Sequence, residues 1–287
     1  MRRSLLTGSA MWIRMRSPER PDQIAHSHAT ATALCVTIAG LCVAFPVKAA
    51  ERYEGDAHAP GNGRLLYRES HWRDRGAGVD TRIALYRCPD GTAFARKRIR
   101  VVSNAQAPDF VLVDARNGYS EGVRSKGDAR EVFVRANKTA AERVAPIRIQ
   151  AETVIDAGFD AFVRTHWDAL SGTRATPLSF VVPSRLAALD FNVRRIDDET
   201  IDGHAVRRFR LALASWYGGL LPHIDILYGV GTRRLRRYEG IGNVRDIDAH
   251  NLDVRIEFTA QKRDLPASAA DIAAAAAAPL TGVCPLT

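Results

Sequence analysis

Residues 205–258 contain a series of short segments in which apolar and polar side chains alternate, with only tight turns between them. Three of these segments are RFRLAL at 208–213, HIDI at 223–226 and VRIEF at 254–258. Because successive side chains of a strand point to opposite faces, each segment has one apolar and one polar face. The pattern predicts an antiparallel β-meander whose apolar faces meet a shared core or cavity, since burying each Phe, Leu or Ile contributes roughly 1.5–3 kcal/mol.

The composition is that of an ordinary globular protein with a sizeable core: 287 residues, 46% hydrophobic and 25% charged. Residues 50–287 carry a net charge of +5. Basic residues are scattered among acidic ones, which favours a solvated strand surface over a nucleic-acid site. For the densest basic run, RRLRRY at 233–238, two interpretations stay open: surface charge that limits aggregation, or contact with anionic head groups or polyanions.

The N-terminal region has the pattern of a secretory signal. An uncharged apolar run of 13 residues at 33–45 is preceded by Arg2, Arg3, Arg14 and Arg16, and small residues then allow cleavage after Ala49. A retained membrane anchor is the alternative, but the run is shorter than the roughly 20 residues that a spanning helix needs. We therefore expect a signal peptide at 1–49 and a periplasmic protein without a membrane span after cleavage.

Two cysteines follow the predicted signal peptide, Cys88 and Cys284. In an oxidising compartment they can pair and tie the C-terminal tail to the first hairpin. Two free thiols are the alternative that the sequence leaves open.

Turn signals and a change of period predict the remaining elements. Cys88-Pro89-Asp90-Gly91 and Arg116-Asn117-Gly118 predict two hairpins. Between 151 and 171 apolar residues recur at three- and four-residue steps, which predicts an amphipathic helix capped by Asp156 and ended by Gly172. With ten to twelve strands, the predicted fold class is α+β, mainly β: a curved antiparallel sheet, or incomplete β-barrel, with the helix on its concave face.

No Pro/Ser-rich linker divides residues 50–287, so we expect one half-barrel domain at 50–266 followed by an Ala-rich C-terminal tail at 267–287. The polar, Gly- and Pro-containing stretch 51–63 predicts a loose N-terminal segment. The tail predicts a short helix that stays peripheral unless Cys284 is bonded, because alanine offers little apolar volume. Residues 216–222 predict a rim loop.

Catalytic and metal-binding patterns are sparse in this sequence. It has no phosphate-binding Gly loop, no Gly-x-Ser-x-Gly elbow, no His-Glu-x-x-His pair and no paired metal-ligand spacing, so we predict no catalytic residue, metal or cofactor. Glu69 and His71, which share one strand face, are the nearest candidates for acid/base chemistry, and His166 could point toward the same space. A structural role for these histidines is the favoured alternative.

The segment 233–246, RRLRRYEGIGNVRD, followed by the strand-like 251–258, looks like the final hairpin of a known family. Together with the export signal and the single amphipathic helix, it resembles the periplasmic lipoprotein-carrier superfamily of LolA/LolB-like incomplete β-barrels. The resemblance implies a half-barrel whose concave apolar face, partly shut by helices, takes an acyl chain or another greasy ligand.

The apolar positions that we expect to line such a cavity lie on the helix and the meander. They are Phe159, Phe162, Trp167, Phe209, Leu211, Leu213, Ile224 and Ile226. A carrier or binding protein for a lipid or acylated ligand is the first functional interpretation, and an envelope scaffold with a filled core and a protein partner is the second. An exported hydrolase that uses Glu69 and His71 is the third.

Overall fold

The computed structural model describes residues 50–76, 79–127, 129–215 and 222–286. The predicted signal peptide and most of the predicted rim loop lie outside these residues. None of the described helices has the length and hydrophobicity needed to traverse a bilayer.

Fifteen strands of the described chain form one sheet. The first eight are β1 Glu51–His58, β2 Leu65–Asp74, β3 Asp80–Arg87, β4 Ala93–Val101, β5 Asp109–Asp114, β6 Tyr119–Lys126, β7 Ala129–Arg135 and β8 Arg143–Ile147. The others are β9 Thr153–Val154, β10 Thr176–Val182, β11 Ala187–Ile201, β12 His204–Leu213, β13 Ile224–Gly229, β14 Leu235–Arg245 and β15 Asn251–Glu257. The predicted mainly β fold class is confirmed: the sheet is curved, antiparallel and not closed into a barrel.

The sheet order is β8-β7-β6-β5-β4-β3-β2-β1-β15-β14-β13-β12-β11-β10-β9. Strands β1 to β8 and β10 to β15 are each antiparallel neighbours in chain order, and β1 joins the two halves by pairing with β15. Every pairing is antiparallel except that of β9 with β10. The first and last strands of the chain therefore lie side by side in the middle of the sheet.

The two predicted hairpin turns are confirmed. Gly91 closes the β3–β4 turn with φ 93°, and its N–H donates to the Cys88 carbonyl at 2.9 Å. Gly118 closes the β5–β6 turn with φ 79°, and its N–H donates to the Asp114 carbonyl at 2.9 Å. Both glycines adopt the left-handed region that other residues enter at a cost.

The prediction of a loose segment at 51–63 is wrong, because β1 is the central strand of the sheet. Its inward positions include Tyr53, Gly55 and Ala57, which bury too little apolar surface to be recognised as a strand from sequence. Gly55 is required there: a Cβ at this position would lie 2.6 Å from the Phe258 ring. The strand is set by pairing with β2 and with the far end of the chain.

The predicted helix at 151–171 is shorter and interrupted. A 3-10 turn at Asp156–Gly158 leads into α1 (Phe159–Thr165) and α2 (Trp167–Leu170), separated at His166, whose φ is −101°. Asp156 does not cap α1, because its carboxylate binds Lys97 and Asn243 instead. The segment packs on one face of β10–β13, where Phe162 and Trp167 share a buried apolar cluster with Phe209 of β12.

The C-terminal tail covers the opposite face of the sheet. A 3-10 turn at Ala260–Lys262 precedes α3 (Ala269–Ala277), which begins with a capping box between Ser268 and Asp271. Ala275 of α3 packs with Trp72 and other outward side chains of β2 and β3. Because alanine is small, the helix can approach the strands closely, so it contributes a small apolar cluster despite its low volume.

Cys88 and Cys284 form a disulfide with Cα atoms 5.7 Å apart. The bond ties the chain beyond α3 to the end of β3. Arg96 and Arg98 of β4 donate hydrogen bonds to the carbonyls of Ala278 and Ala276 at 2.9 and 2.7 Å. The tail is therefore held by the disulfide and by arginine side chains that donate to its main-chain carbonyls.

Candidate functional site

A cavity of about 420 Å³ lies on the concave side of the sheet. Its walls come from β1–β4 on one side, β12–β15 on the other, and the first turn of α1. This volume is at the small end of the range for ligand pockets, roughly 300–1,000 Å³. The cavity is large enough for one chain-like ligand.

The second half of the chain contributes most of the large apolar side chains of the lining. Inward side chains of the strands and the helix contribute to it: Phe159, Phe180, Leu211, Ile224, Ile226, Leu235, Ile256 and Phe258. Alternation along β12, β13 and β15 places these residues on one face, as the period-2 pattern predicts.

Four of the eight predicted cavity residues line this space, namely Phe159, Leu211, Ile224 and Ile226. Phe162, Trp167 and Phe209 do not, because they pack against one another and are almost fully buried. The Trp167 ring meets the Phe209 ring edge-on at 5.5 Å. Leu213 lies near the end of β12, is partly exposed and is not part of the lining. The helix thus fills one end of the half-barrel and leaves the other open.

The wall formed by β1–β4 carries many polar side chains, of which the sequence indicates only Glu69 and His71. Alternate residues of β2 point inward: Tyr67, Glu69, His71 and Arg73. The regular spacing of polar residues on this strand was the available signal. From sequence alone this signal indicates the solvent face, because a polar strand face normally meets water.

A buried ionic network closes the inner end of this wall. Lys97 donates from Nζ to Asp156 Oδ1 at 2.6 Å, and Asn243 donates to the same oxygen at 2.8 Å. The second oxygen of Asp156 is buried without a hydrogen-bond partner among the described residues. Burial lowers the pKa of Lys97, but the Asp156 charge and hydrogen bond outweigh it and leave that pKa raised.

A second buried carboxylate, Glu121, lies near this network. Tyr119 donates to Glu121 Oε2 at 2.6 Å, and Arg245 donates to the Tyr119 hydroxyl at 3.0 Å. Burial raises the pKa of Glu121 above its ordinary value, against the opposing effects of the Tyr119 hydrogen bond and the Lys97 charge. Glu121 itself does not line the cavity, and it acts on the wall through the charges of Lys97 and Asp156.

Glu69 and His71 do come together in the cavity wall. His71 Nε2 lies 2.8 Å from Glu69 Oε2, and the His71 ring stacks on Tyr53 with centroids 4.6 Å apart. Tyr53 and His71 are register partners on β1 and β2, which explains the stack. The expectation that His166 points to the same space is wrong, because its Nδ1 lies 3.0 Å from the Phe162 carbonyl oxygen and it does not line the cavity.

In the described part of the chain, one group of side chains brings three potential metal ligands together. Asp246, Asp248 and His250 lie on the turn between β14 and β15, with ligand atoms within 4.8 Å of one another. Asp248 and His250 are exposed, and Asp246 accepts a hydrogen bond from the His250 N–H at 2.8 Å. The local turn accounts for this grouping.

No family model matches the chain, and no curated protein matches it. Among solved structures, one similar chain is a β-barrel-like protein of domain of unknown function DUF1849 from Brucella abortus. It has 10% identity and a TM-score of 0.49, and the match covers 77% of this chain and 99% of that one.

Two further structures are similar over 74% of this chain and 83% of theirs. One is a putative outer membrane lipoprotein-sorting protein domain from Vibrio parahaemolyticus, with 9% identity and a TM-score of 0.24. The other is a DUF1329 family protein from Desulfovibrio piger, with 8% identity and a TM-score of 0.25. At these identities and TM-scores the three structures are likenesses in fold only, and they carry no argument about the family or function of this chain.

Proposed function

We propose that the protein is an exported periplasmic protein that binds or carries a lipid or another ligand with an apolar part in the half-barrel cavity. The observation that carries this proposal is the open volume of about 420 Å³, lined by the large apolar side chains Phe159, Leu211, Ile224, Ile226 and Phe258. An unfilled apolar surface of this kind is costly unless something covers it, because protein interiors otherwise pack to crystal-like density. The predicted signal peptide supports the location.

The envelope scaffold with a filled core remains the competing function. Its specific support is the end of the half-barrel that Phe162, Trp167 and Phe209 fill completely. The two proposals differ in what occupies the remaining space.

Native mass spectrometry of the protein purified from the periplasm, before and after organic extraction, tests the proposal. We expect a reproducible extra mass that extraction removes. Ile224→Trp, which adds bulk to the cavity wall, should lower its occupancy. Ile196→Trp is the matched control, since Ile196 is 36% exposed and does not line the cavity.

A single apo mass before extraction, with no thermal stabilisation by added phospholipid or acylated peptide, would contradict ligand binding. The scaffold would then be the better account. Equal ligand occupancy in Ile224→Trp and the wild type would place the ligand elsewhere on the protein.

A further inference from the structure

Cationic side chains outnumber carboxylates in the cavity lining. Seven Arg and Lys residues and four Asp and Glu residues line it. Several of the cations are neutralised locally: Lys97 pairs with Asp156, Arg164 with Asp160, and Arg75 with Glu51. Two cations of the lining are not fully neutralised: Arg263 has no carboxylate partner among the described residues, and Arg82 shares Asp80 with Arg73.

Arg263 enters the cavity from the segment after β15 and is partly buried. Its guanidinium lies 5.3 Å from the ring centroid of Tyr53 and 5.5 Å from that of Phe258. Within the described chain it has no carboxylate partner. Nη2 donates to the Leu235 carbonyl, and Nε is buried without a partner. A buried charge of this kind is costly unless it is paired.

Two further arginines, Arg236 and Arg234, act on Arg263 through their positive charges. Burial lowers the pKa of Arg263, and the positive charges of Arg236 and Arg234 lower it further, against the opposing effects of Tyr53 and Asp160. An arginine stays protonated even so. A bound anion would relieve the repulsion.

Arg82 is only partly neutralised, because it shares one carboxylate with Arg73. Arg73 Nε approaches both Asp80 oxygens at 2.9 and 3.1 Å, whereas the Arg82 contacts to Asp80 are 3.3 and 3.5 Å. One carboxylate cannot neutralise two guanidinium groups, so the group formed by Arg73, Arg82 and Asp80 keeps one net positive charge beside the cavity.

Tyr53 supplies a neutral hydrogen-bond donor beside these cations. Burial and the charge of Asp160 raise its pKa to about 12, although Arg82 and Arg263 act in the opposite direction. The phenol is therefore protonated at neutral pH. The nearby carboxylates are already engaged, Asp160 with Arg164 and Glu69 with His71.

We propose that the cavity ligand is a single-chain amphiphile whose anionic oxygen head group, a carboxylate or a phosphate, binds Arg263, Arg82 and the Tyr53 hydroxyl. The planar guanidinium of arginine suits both kinds of anion. The chain lies along the apolar wall that begins at Phe258, over whose ring Arg263 is placed. This inference rests on the proposed function and specifies the class of ligand.

Isothermal titration calorimetry of the delipidated protein, purified from the periplasm after expression of the full chain, tests the assignment. The probes are palmitate, 1-palmitoyl lysophosphatidate, neutral monopalmitin and inorganic phosphate alone, each lipid below its critical micelle concentration. We expect both anionic lipids to bind about tenfold or more tightly than monopalmitin, because a charge-assisted hydrogen bond favours them. Inorganic phosphate should bind far more weakly than lysophosphatidate.

Substitutions separate the head-group contact from the chain contact. Arg263→Met keeps an apolar stem and should weaken palmitate binding about tenfold while leaving monopalmitin unchanged. Arg263→Lys should retain part of the affinity for palmitate. It replaces Arg263→Met in the test if circular dichroism shows that Arg263→Met is unfolded. Arg100→Met is the matched control, since Arg100 is exposed on β4 and does not line the cavity.

The outcomes distinguish this inference from the proposed function. Equal affinity for palmitate and monopalmitin, or unchanged palmitate binding in Arg263→Met, would overturn the head-group assignment and leave lipid binding intact. Inorganic phosphate that binds as tightly as lysophosphatidate would also overturn it, since the site would then take a free anion. Failure of every lipid to bind would overturn both.

Discussion

Lys97 Nζ lies 2.6 Å from Asp156 Oδ1 and thereby joins β4 to the turn that leads into α1. Both side chains are about nine-tenths buried. Asp156 also has a positive φ of 44°, so the chain reverses sharply where its carboxylate is held. This contact fixes where the helical segment enters the half-barrel.

Replacing Lys97 by Met should destabilise the protein by about 3–5 kcal/mol, because it leaves the Asp156 charge buried without its cation. The double variant Lys97→Met with Asp156→Asn should recover part of this loss, since no charge then remains unpaired. Urea unfolding followed by circular dichroism measures both. Asp160→Asn is the control: it breaks the more exposed Arg164–Asp160 pair and should cost less than about 1 kcal/mol. A loss of that small size in Lys97→Met would contradict the role given to the buried pair.

Glu121 should make the stability of the protein depend on pH in an unusual direction. Its pKa in the folded state is raised by burial above the unfolded value of 4.5. The folded state therefore binds the proton more tightly, and the contribution to stability is complete below pH 4.5 and declines as pH rises through the folded pKa. Lys97, Asp156 and Arg245 are the charged groups that act on it.

Comparison with Glu121→Gln isolates this effect, since glutamine has a similar shape and does not titrate. Unfolding free energies from urea titrations between pH 4 and 8 should show the wild type losing stability relative to Glu121→Gln as pH rises. A wild-type stability that instead increases relative to the variant over this range would mean that the folded pKa is lowered.

Loss of the Cys88–Cys284 disulfide should destabilise the protein and loosen the tail. The bond closes a loop of 196 residues, for which the chain-entropy account allows about 5 kcal/mol, with measured values often smaller. We expect the double variant Cys88→Ser, Cys284→Ser to unfold at lower urea concentration and to be cleaved sooner near α3 in limited proteolysis. Adding a reductant should lower the urea concentration at which the wild type unfolds and should leave that of the double variant unchanged. Identical behaviour of both proteins would show that α3 and the Arg96 and Arg98 hydrogen bonds hold the tail alone.

Gly55→Ala should destabilise the centre of the sheet by about 1–3 kcal/mol, because its new methyl group would lie 2.6 Å from the Phe258 ring. Thermal unfolding measures the loss. Gly61→Ala is the control, since a Cβ there meets no atom within 4 Å. Adding Phe258→Leu to Gly55→Ala should restore part of the stability, and an additive loss in the double variant would rule out this contact as the cause.

Local patterns were enough to predict the meander, the hairpins at Gly91 and Gly118, and an apolar face on the helical segment. These features follow from side-chain periodicity and turn chemistry, which act over a few residues. The same patterns identified Phe159, Leu211, Ile224 and Ile226 as residues of the cavity wall. They could not distinguish these from Phe162 and Phe209, whose faces are equally apolar but whose neighbours fill the space.

Contacts between distant parts of the chain decided the rest. The central place of β1 depends on pairing with β15, some 200 residues away in the chain. No local pattern in residues 51–58 predicts this pairing. Asp156 has the sequence context of a helix cap, yet Lys97 and Asn243 bind it because the fold brings three separate elements together. The polar cavity wall likewise exists because curvature turns one face of β2 inward, and the sequence of a strand does not state which of its faces will meet solvent.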